Sequence, residues 1–189
     1  MLLPALVVIC FCSGARADGR DHNNVCEREL IVASNRHGVP LGVLYAVGLV
    51  ESGKDRSLHP FAVDVGGVAH YPASKAQALA TVDQAQKSGA TPIDIGCMQI
   101  NLRFHRDRFT SLEEMFDPSK NVRYGAAYLA ALHARTGNWT EAVARYHASP
   151  ANRTAQATYV CAVIRNLVAE GLGAWTTSAR TMCSAERTK

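Results

Sequence analysis

From Val39 to Val50 every residue is apolar, aromatic, glycine or proline, and the run ends in Glu51, Ser52 and Gly53. A helix made from such a stretch is apolar on nearly every face, so the rest of the chain must fold around it. Leu44, Val47, Gly48 and Glu51 fall at i, i+3, i+4 and i+7, which makes Glu51 the last member of a buried stripe. Burial disfavours the charged form of a carboxylate, and the unsatisfied carbonyls of a helix C-terminus push the same way. A carboxyl group kept protonated near neutral pH can act as a general acid. The competing expectation is a carboxylate that escapes to solvent as the helix ends at Gly53.

Leu2 to Cys12 is an apolar run too short to span a bilayer, and Ala15-Arg16-Ala17 has the small-x-small form of a signal-peptidase site. Residues 1–17 are therefore expected to be a cleaved signal peptide, although the first residues contain no Lys or Arg. Neither Cys10 nor Cys12 follows the small residue of a lipoprotein signal, so no lipid anchor is expected. Residues 18–189 are enough for one well-buried domain and too few for two, with a core over about 26–170 and a C-terminal tail over 171–189. No other stretch is apolar for long enough to predict a transmembrane segment in the mature chain. The expected location is the periplasm, or the exterior.

Cys26, Cys97, Cys161 and Cys183 remain after cleavage, an even number in a chain bound for an oxidising compartment. Disulfides are the leading reading. Zinc would want closely paired ligands such as C-x-x-C, and these four are spread singly, so no metal is expected. Of the three pairings, Cys161 with Cys183 would tie down the C-terminal tail, leaving Cys26 to bridge the first helix to the Cys97 segment.

The formal net charge is +4, with basic residues scattered rather than gathered into a run. Nucleic acid is not implied. A mildly basic exported protein is drawn to the anionic polymers of a cell envelope.

Helical signals dominate. Cys26 to Arg36 ends at Gly38, and Pro40 to Ser52 follows. Ser74 with Gln77 and Ser111 with Glu114 read as capping boxes, and Asp117-Pro118 opens a helix that runs to Gly137. Thr140 to His147 and Thr154 to Glu170 complete the set. The exception is Phe61 to Tyr71, where two extended runs flank Gly66-Gly67 and predict a β-hairpin, either a surface excursion or a cleft wall. With no repeats and no low-complexity linker, the expected fold is one mainly α domain with a small β-hairpin excursion.

A second chemical segment is Asp94-Ile-Gly96-Cys97-Met98-Gln99-Ile100-Asn101. Gly96 lets backbone approach a ligand, Met98 offers an adaptable apolar surface, and Gln99 and Asn101 supply amide forks that suit sugar hydroxyl and N-acetyl groups. The third segment is the helix from Trp139 to His147, which ends in the phenol of Tyr146 and an imidazole. Taken singly, Gln99 reads equally as a capping amide and Tyr146 as a core residue with a wet hydroxyl.

Glu51-Ser52, Gly96-Cys-Met-Gln-Ile-Asn101 and Ala144-Arg-Tyr146-His147, in that order, resemble the three signature motifs of the soluble lytic transglycosylase family, whose catalytic domain is similar to goose-type lysozyme. Between them, Asn121-Val-Arg-Tyr-Gly125-Ala-Ala-Tyr128-Leu129 resembles that family's Asn-x-x-x-Gly-x-x-Tyr-Leu helix, so the likeness covers about Cys26 to Ser149. The resemblance implies a lysozyme-like single domain with Glu51 as catalytic acid. It further implies that Ser52 assists near the acetamido group, that Met98, Gln99 and Asn101 line sugar subsites, and that Tyr146 positions the acid or the substrate. Two positions depart from the common pattern: His147 stands where Asn is usual, and Cys97 where an apolar residue is usual. His147 reads either as a second base or as a structural or solvent-facing residue.

Hydrolytic glycosidases generally need a second carboxylate, and none of the motifs supplies one; Asp94 is the nearest candidate, best read as orienting its loop. Acting alone, Glu51 would protonate the glycosidic oxygen and then accept a proton from the C6 hydroxyl of the same muramic acid. The resemblance thus implies peptidoglycan as partner, 1,6-anhydro ends as product and no cofactor. The alternatives are a hydrolytic muramidase on the same fold and a non-catalytic wall-binding scaffold of an envelope-spanning assembly. Small one-domain members with a signal and no anchor resemble the wall-opening enzymes of type IV secretion systems, which implies components of a secretion or conjugation apparatus as further partners.

Overall fold

Helix α2 (Leu41–Ser52) is enclosed as its composition demands, with Leu44, Tyr45, Ala46, Val47, Gly48 and Ser52 all buried. Around it the computed structural model describes residues 24–185, so the expected signal peptide lies outside the described residues. Helix α1 (Val25–His37) starts where Asn24 accepts the Glu27 N–H and closes at Gly38. Pro40 takes the N-cap of α2 rather than its first turn. The predicted N-caps form, while the Gln77 and Glu114 side chains reach back one residue further, to the Ala73 and Thr110 N–H groups: Ser74 Oγ accepts the Gln77 N–H at 3.3 Å ahead of α3 (Lys75–Lys87). Likewise, Ser111 Oγ accepts that of Glu114 at 3.1 Å ahead of α5 (Leu112–Met115).

The β-hairpin expected over Phe61 to Tyr71 is present as β3 (Val63–Val65) and β4 (Val68–His70). It is larger than expected, because β5 (Ile93–Ile95) and β6 (Ile100–Asn101) join it in an antiparallel sheet of order β4-β3-β5-β6. These added strands are too short for a period-2 pattern to be read from sequence. Their register places Asp64 opposite Asp94, and Asp94 opposite Asn101. A second, two-stranded pair, β1 (Gly53–Lys54) with β2 (Ser57–Leu58), takes the chain directly off the end of α2.

Three further helices complete the core: α6 (Pro118–Thr136), α7 (Trp139–His147) and α8 (Arg153–Ala169). Helix α1 packs on α6, α6 on α7, α7 on α8, α8 on α2 and α2 on α1, which closes a ring of helices with the apolar run as one of its members. Among the described residues two α-helices went unread in the sequence: the single turn α4 (Leu102–His105) and α9 (Thr177–Ala185), which lies inside the expected tail. Cys161 of α8 bonds Cys183 of α9, and Cys26 of α1 bonds Cys97 after β5, with Cα separations of 5.5 and 5.8 Å. Among the described residues no helix is long and apolar enough to cross a membrane.

Candidate active site

Glu51 sits in the last turn of α2 and lines a cleft of about 930 Å³. Burial pushes its carboxyl up to about 8; a hydrogen bond from Tyr159 opposes this, while the charges of Asp94 and Asp64 reinforce it. The donor is the Tyr159 hydroxyl, which reaches Glu51 Oε1 from α8. Tyr159 was missed in the sequence. It stands in α8 among buried residues, three after Gln156 and four before Val163, and reads as core. Its one signal is that a buried phenol must find a partner.

The segment from Gly96 to Asn101 is fixed by buried polar contacts. Ser52 Oγ donates to the Cys97 carbonyl at 2.7 Å, and the Met98 N–H donates to Asn121 Oδ1 at 2.8 Å. Asn121 Nδ2 in turn donates to the Ile95 and Met115 carbonyls at 2.8 and 2.9 Å. Gly96 has φ +78°, and a Cβ there would come within 2.6 Å of Asn121 Nδ2, so a larger residue is excluded twice. Tyr146 Oη donates to the Met98 carbonyl at 2.9 Å. A Cβ on Gly125 would meet Met98 at 2.8 Å and the Tyr146 oxygen at 3.1 Å, so a glycine at this point of α6 lets the loop close in.

Four of the six expected site residues share the cleft: Glu51, Gln99, Asn101 and Tyr146. Ser52 and Met98 do not line it. Both are 0 % exposed, Ser52 spending its hydroxyl on Cys97 and Met98 lying in the core, so their side chains hold the loop and offer no sugar-facing surface. The amides are also largely committed. Gln99, at φ +44°, donates from Nε2 to the Ala62 and Gly96 carbonyls. Asn101 donates to Asp94 Oδ1 at 2.7 Å and accepts the Arg103 and Phe104 N–H groups as the N-cap of α4.

The motifs supply no second carboxylate, but the cleft that they line holds two further carboxyl groups, one of them the candidate Asp94. Asp64 and Asp94, cross-strand partners in the sheet, both line the cleft with Glu51. Burial pushes Asp94 up to about 6, the Asn101 hydrogen bond opposing and the Asp64 charge adding. Asp64 Oδ1 accepts the Gly67 N–H at 2.7 Å and so also closes the hairpin turn. The hairpin is therefore a cleft wall. Aromatic residues also line the cleft, with Phe104 69 % exposed and the rings of Tyr128 and Tyr146 5.6 Å apart. Among the described residues no group of three His, Cys, Asp or Glu side chains could hold a metal ion.

Residues 29–163, well over half of the chain, match the model of the Transglycosylase SLT domain family. The chain belongs to that family. No curated protein and no solved structure matches it. Membership makes this a mainly α, lysozyme-like domain and supports peptidoglycan cleavage of the lytic transglycosylase type in general.

Both departures of this transglycosylase-domain chain from the common motif pattern have a structural counterpart. Cys97 carries the bond to Cys26 that ties the Gly96-to-Asn101 loop to α1. His147 lies with its ring parallel to that of Tyr159, and burial pushes its imidazole down from the ordinary histidine value. The lining of the SLT-domain cleft thus combines the acidic residues of the sheet, Glu51, Arg135, Arg145 and the Ala148-to-Pro150 segment.

Proposed function

We propose that this protein cleaves the β-1,4 bond between N-acetylmuramic acid and N-acetylglucosamine in peptidoglycan without water, leaving 1,6-anhydromuramic ends. The observation that carries the reading is a cleft carboxyl held up to about 8, and so protonated at neutral pH. Glu51 gives its proton to the glycosidic oxygen as the bond from that oxygen to the anomeric carbon breaks. The N-acetyl carbonyl of the muramic acid stabilises the positive charge at the anomeric carbon. The C6 oxygen of the same sugar then bonds that carbon, its proton passes to the Glu51 carboxylate, and the acid is restored. Tyr159 steadies the carboxylate between the two transfers, because a hydrogen bond to the charged form favours it. No cofactor enters this scheme.

A hydrolytic muramidase is the second reading, and Asp64 and Asp94 in the same cleft favour it. A carboxylate across the cleft from the acid is what activation of water requires. Mass spectrometry of digested sacculi separates the two: anhydro ends support the transglycosylase, reducing ends the hydrolase, and no cleavage a wall-binding scaffold. Export to the periplasm belongs to the same proposal, supported by two disulfides of the kind that persist in oxidising compartments. Service to a type IV secretion or conjugation apparatus is proposed from the motif resemblance, and cross-linking of the inactive Glu51→Gln protein in intact cells tests it.

A further inference from the structure

The rings of His147 and Tyr159 lie 4.4 Å apart at an interplanar angle of 2°. His147 ends α7, and Tyr159 stands in the buried part of α8, 4 % exposed. What the site needs from Tyr159 is direction, since a swing about its side-chain torsions decides whether the hydroxyl reaches Glu51. A flat ring against one face of the phenol removes that swing.

We infer that His147 is a positioning residue whose imidazole, packed flat on Tyr159, aims the phenol at Glu51 and so sets the proton affinity of the acid. This rests on the reading of Glu51 as the acid. The aim matters because the Tyr159 hydrogen bond works against the burial that raises Glu51. Phenol and acid are matched only while the bond is made: lose it, and Glu51 keeps its proton more tightly and transfers it less readily. The contact needs a flat ring rather than a charge, and burial favours the neutral imidazole. The other charged and titratable side chains that line the cleft are Arg145 and Tyr146 on the same helix, Tyr159 on α8, Glu51 on α2, Tyr128 and Arg135 on α6, His105 on α4, and Asp64 and Asp94 on the sheet. None of them makes a ring stack with His147 other than Tyr159. The Asn usual at this position in the resembled motif carries a smaller planar group and covers less of a phenol than an imidazole does.

The test is a carbon-13 carboxyl NMR titration of Glu51, run beside kcat and KM on solubilised glycan strands. His147→Ala and His147→Asn should move the Glu51 midpoint up by roughly half a pH unit to one pH unit. They should lower kcat severalfold with KM little changed. His147→Phe, which keeps a flat ring, should restore both. Tyr159→Phe should give the same upward move, and His147→Ala added to it should move the midpoint no further. An unchanged midpoint in His147→Ala, a His147→Phe that behaves like it, or shifts that add to those of Tyr159→Phe would each overturn the inference. Should His147→Ala not fold, the pair His147→Asn and His147→Phe decides by the same criterion. Failure of the underlying reading looks different, since Glu51→Gln would then still cleave glycan whatever the titration shows.

Discussion

Tyr159 donates its hydroxyl to Glu51 Oε1 although the two residues stand 108 positions apart in sequence. The contact crosses the packed faces of α2 and α8, so the protonation of the acid depends on how those helices sit against each other. Burial and the phenol act on Glu51 in opposite directions, and burial wins.

Glu51→Gln is expected to fold and bind glycan while cleavage falls by about 10²–10⁴-fold, the usual contribution of a general acid. The amide keeps the size and has no acidic proton. Turnover on purified sacculi measures this, and more than about a tenth of wild-type activity would remove Glu51 as the acid.

Activity should decline on the alkaline side with a midpoint near 8, because ionised Glu51 cannot donate. The same shift predicts a stability effect. The folded state holds a proton that the unfolded chain, at an ordinary value of 4.5, releases. The stability this contributes is fully present below the ordinary value and is lost as pH rises towards and through about 8. Glu51→Gln removes the titration, so denaturant unfolding of wild type and variant at acidic and alkaline pH should converge at low pH and favour the variant at high pH. Parallel curves across that window would contradict a buried acid.

Tyr146→Phe should leave the Met98 carbonyl short of its donor, costing about 1 kcal/mol of stability. Gln99→Ala removes two side-chain bonds from a backbone held at φ +44° and should cost about 1–3 kcal/mol. Because both residues hold the loop, glycan affinity and stability should fall together. Binding measured in the Glu51→Gln background, beside unfolding in denaturant, checks the pairing. A variant that loses binding at unchanged stability would return the residue to direct sugar contact.

Replacing Cys26 and Cys97 by Ser should cost more stability than replacing Cys161 and Cys183, since the first bond spans 71 residues and the second 22. Both effects lie in the range of about 2–4 kcal/mol, with the order set by loop length. Only the first should lower turnover, because Cys97 also accepts the Ser52 hydrogen bond that seats the loop against α2. Thermal unfolding and cleavage of the two double variants separate these outcomes. Equal loss of activity in both would show that the Cys97 loop needs no such tether.

Helix boundaries were legible because their causes are local. Asn24, Ser74, Ser111 and Asp117 each accept an N–H three residues on, within a single turn, and Gly38 and Gly137 stop their helices at the next residue. The burial of α2 followed from its composition, and Glu51 from its place on the apolar stripe. The wall made by β5 and β6 was illegible, since strands of two or three residues exist only through the partners they pair with.

By itself the sequence determined most of the helical segments, that one carboxyl would be driven into apolar surroundings, and which four cysteines were available to pair. Only tertiary structure decided where side chains of mixed character point. It turned Ser52 and Met98 inward, set Asp64 and Asp94 beside each other across the strands, and brought Tyr159 and His147 to the acid. The physical reason is range. Caps and periodicity act within a turn or two and are written in neighbouring residues, whereas a buried hydroxyl, amide or carboxyl takes whatever partner the packing delivers from elsewhere in the chain.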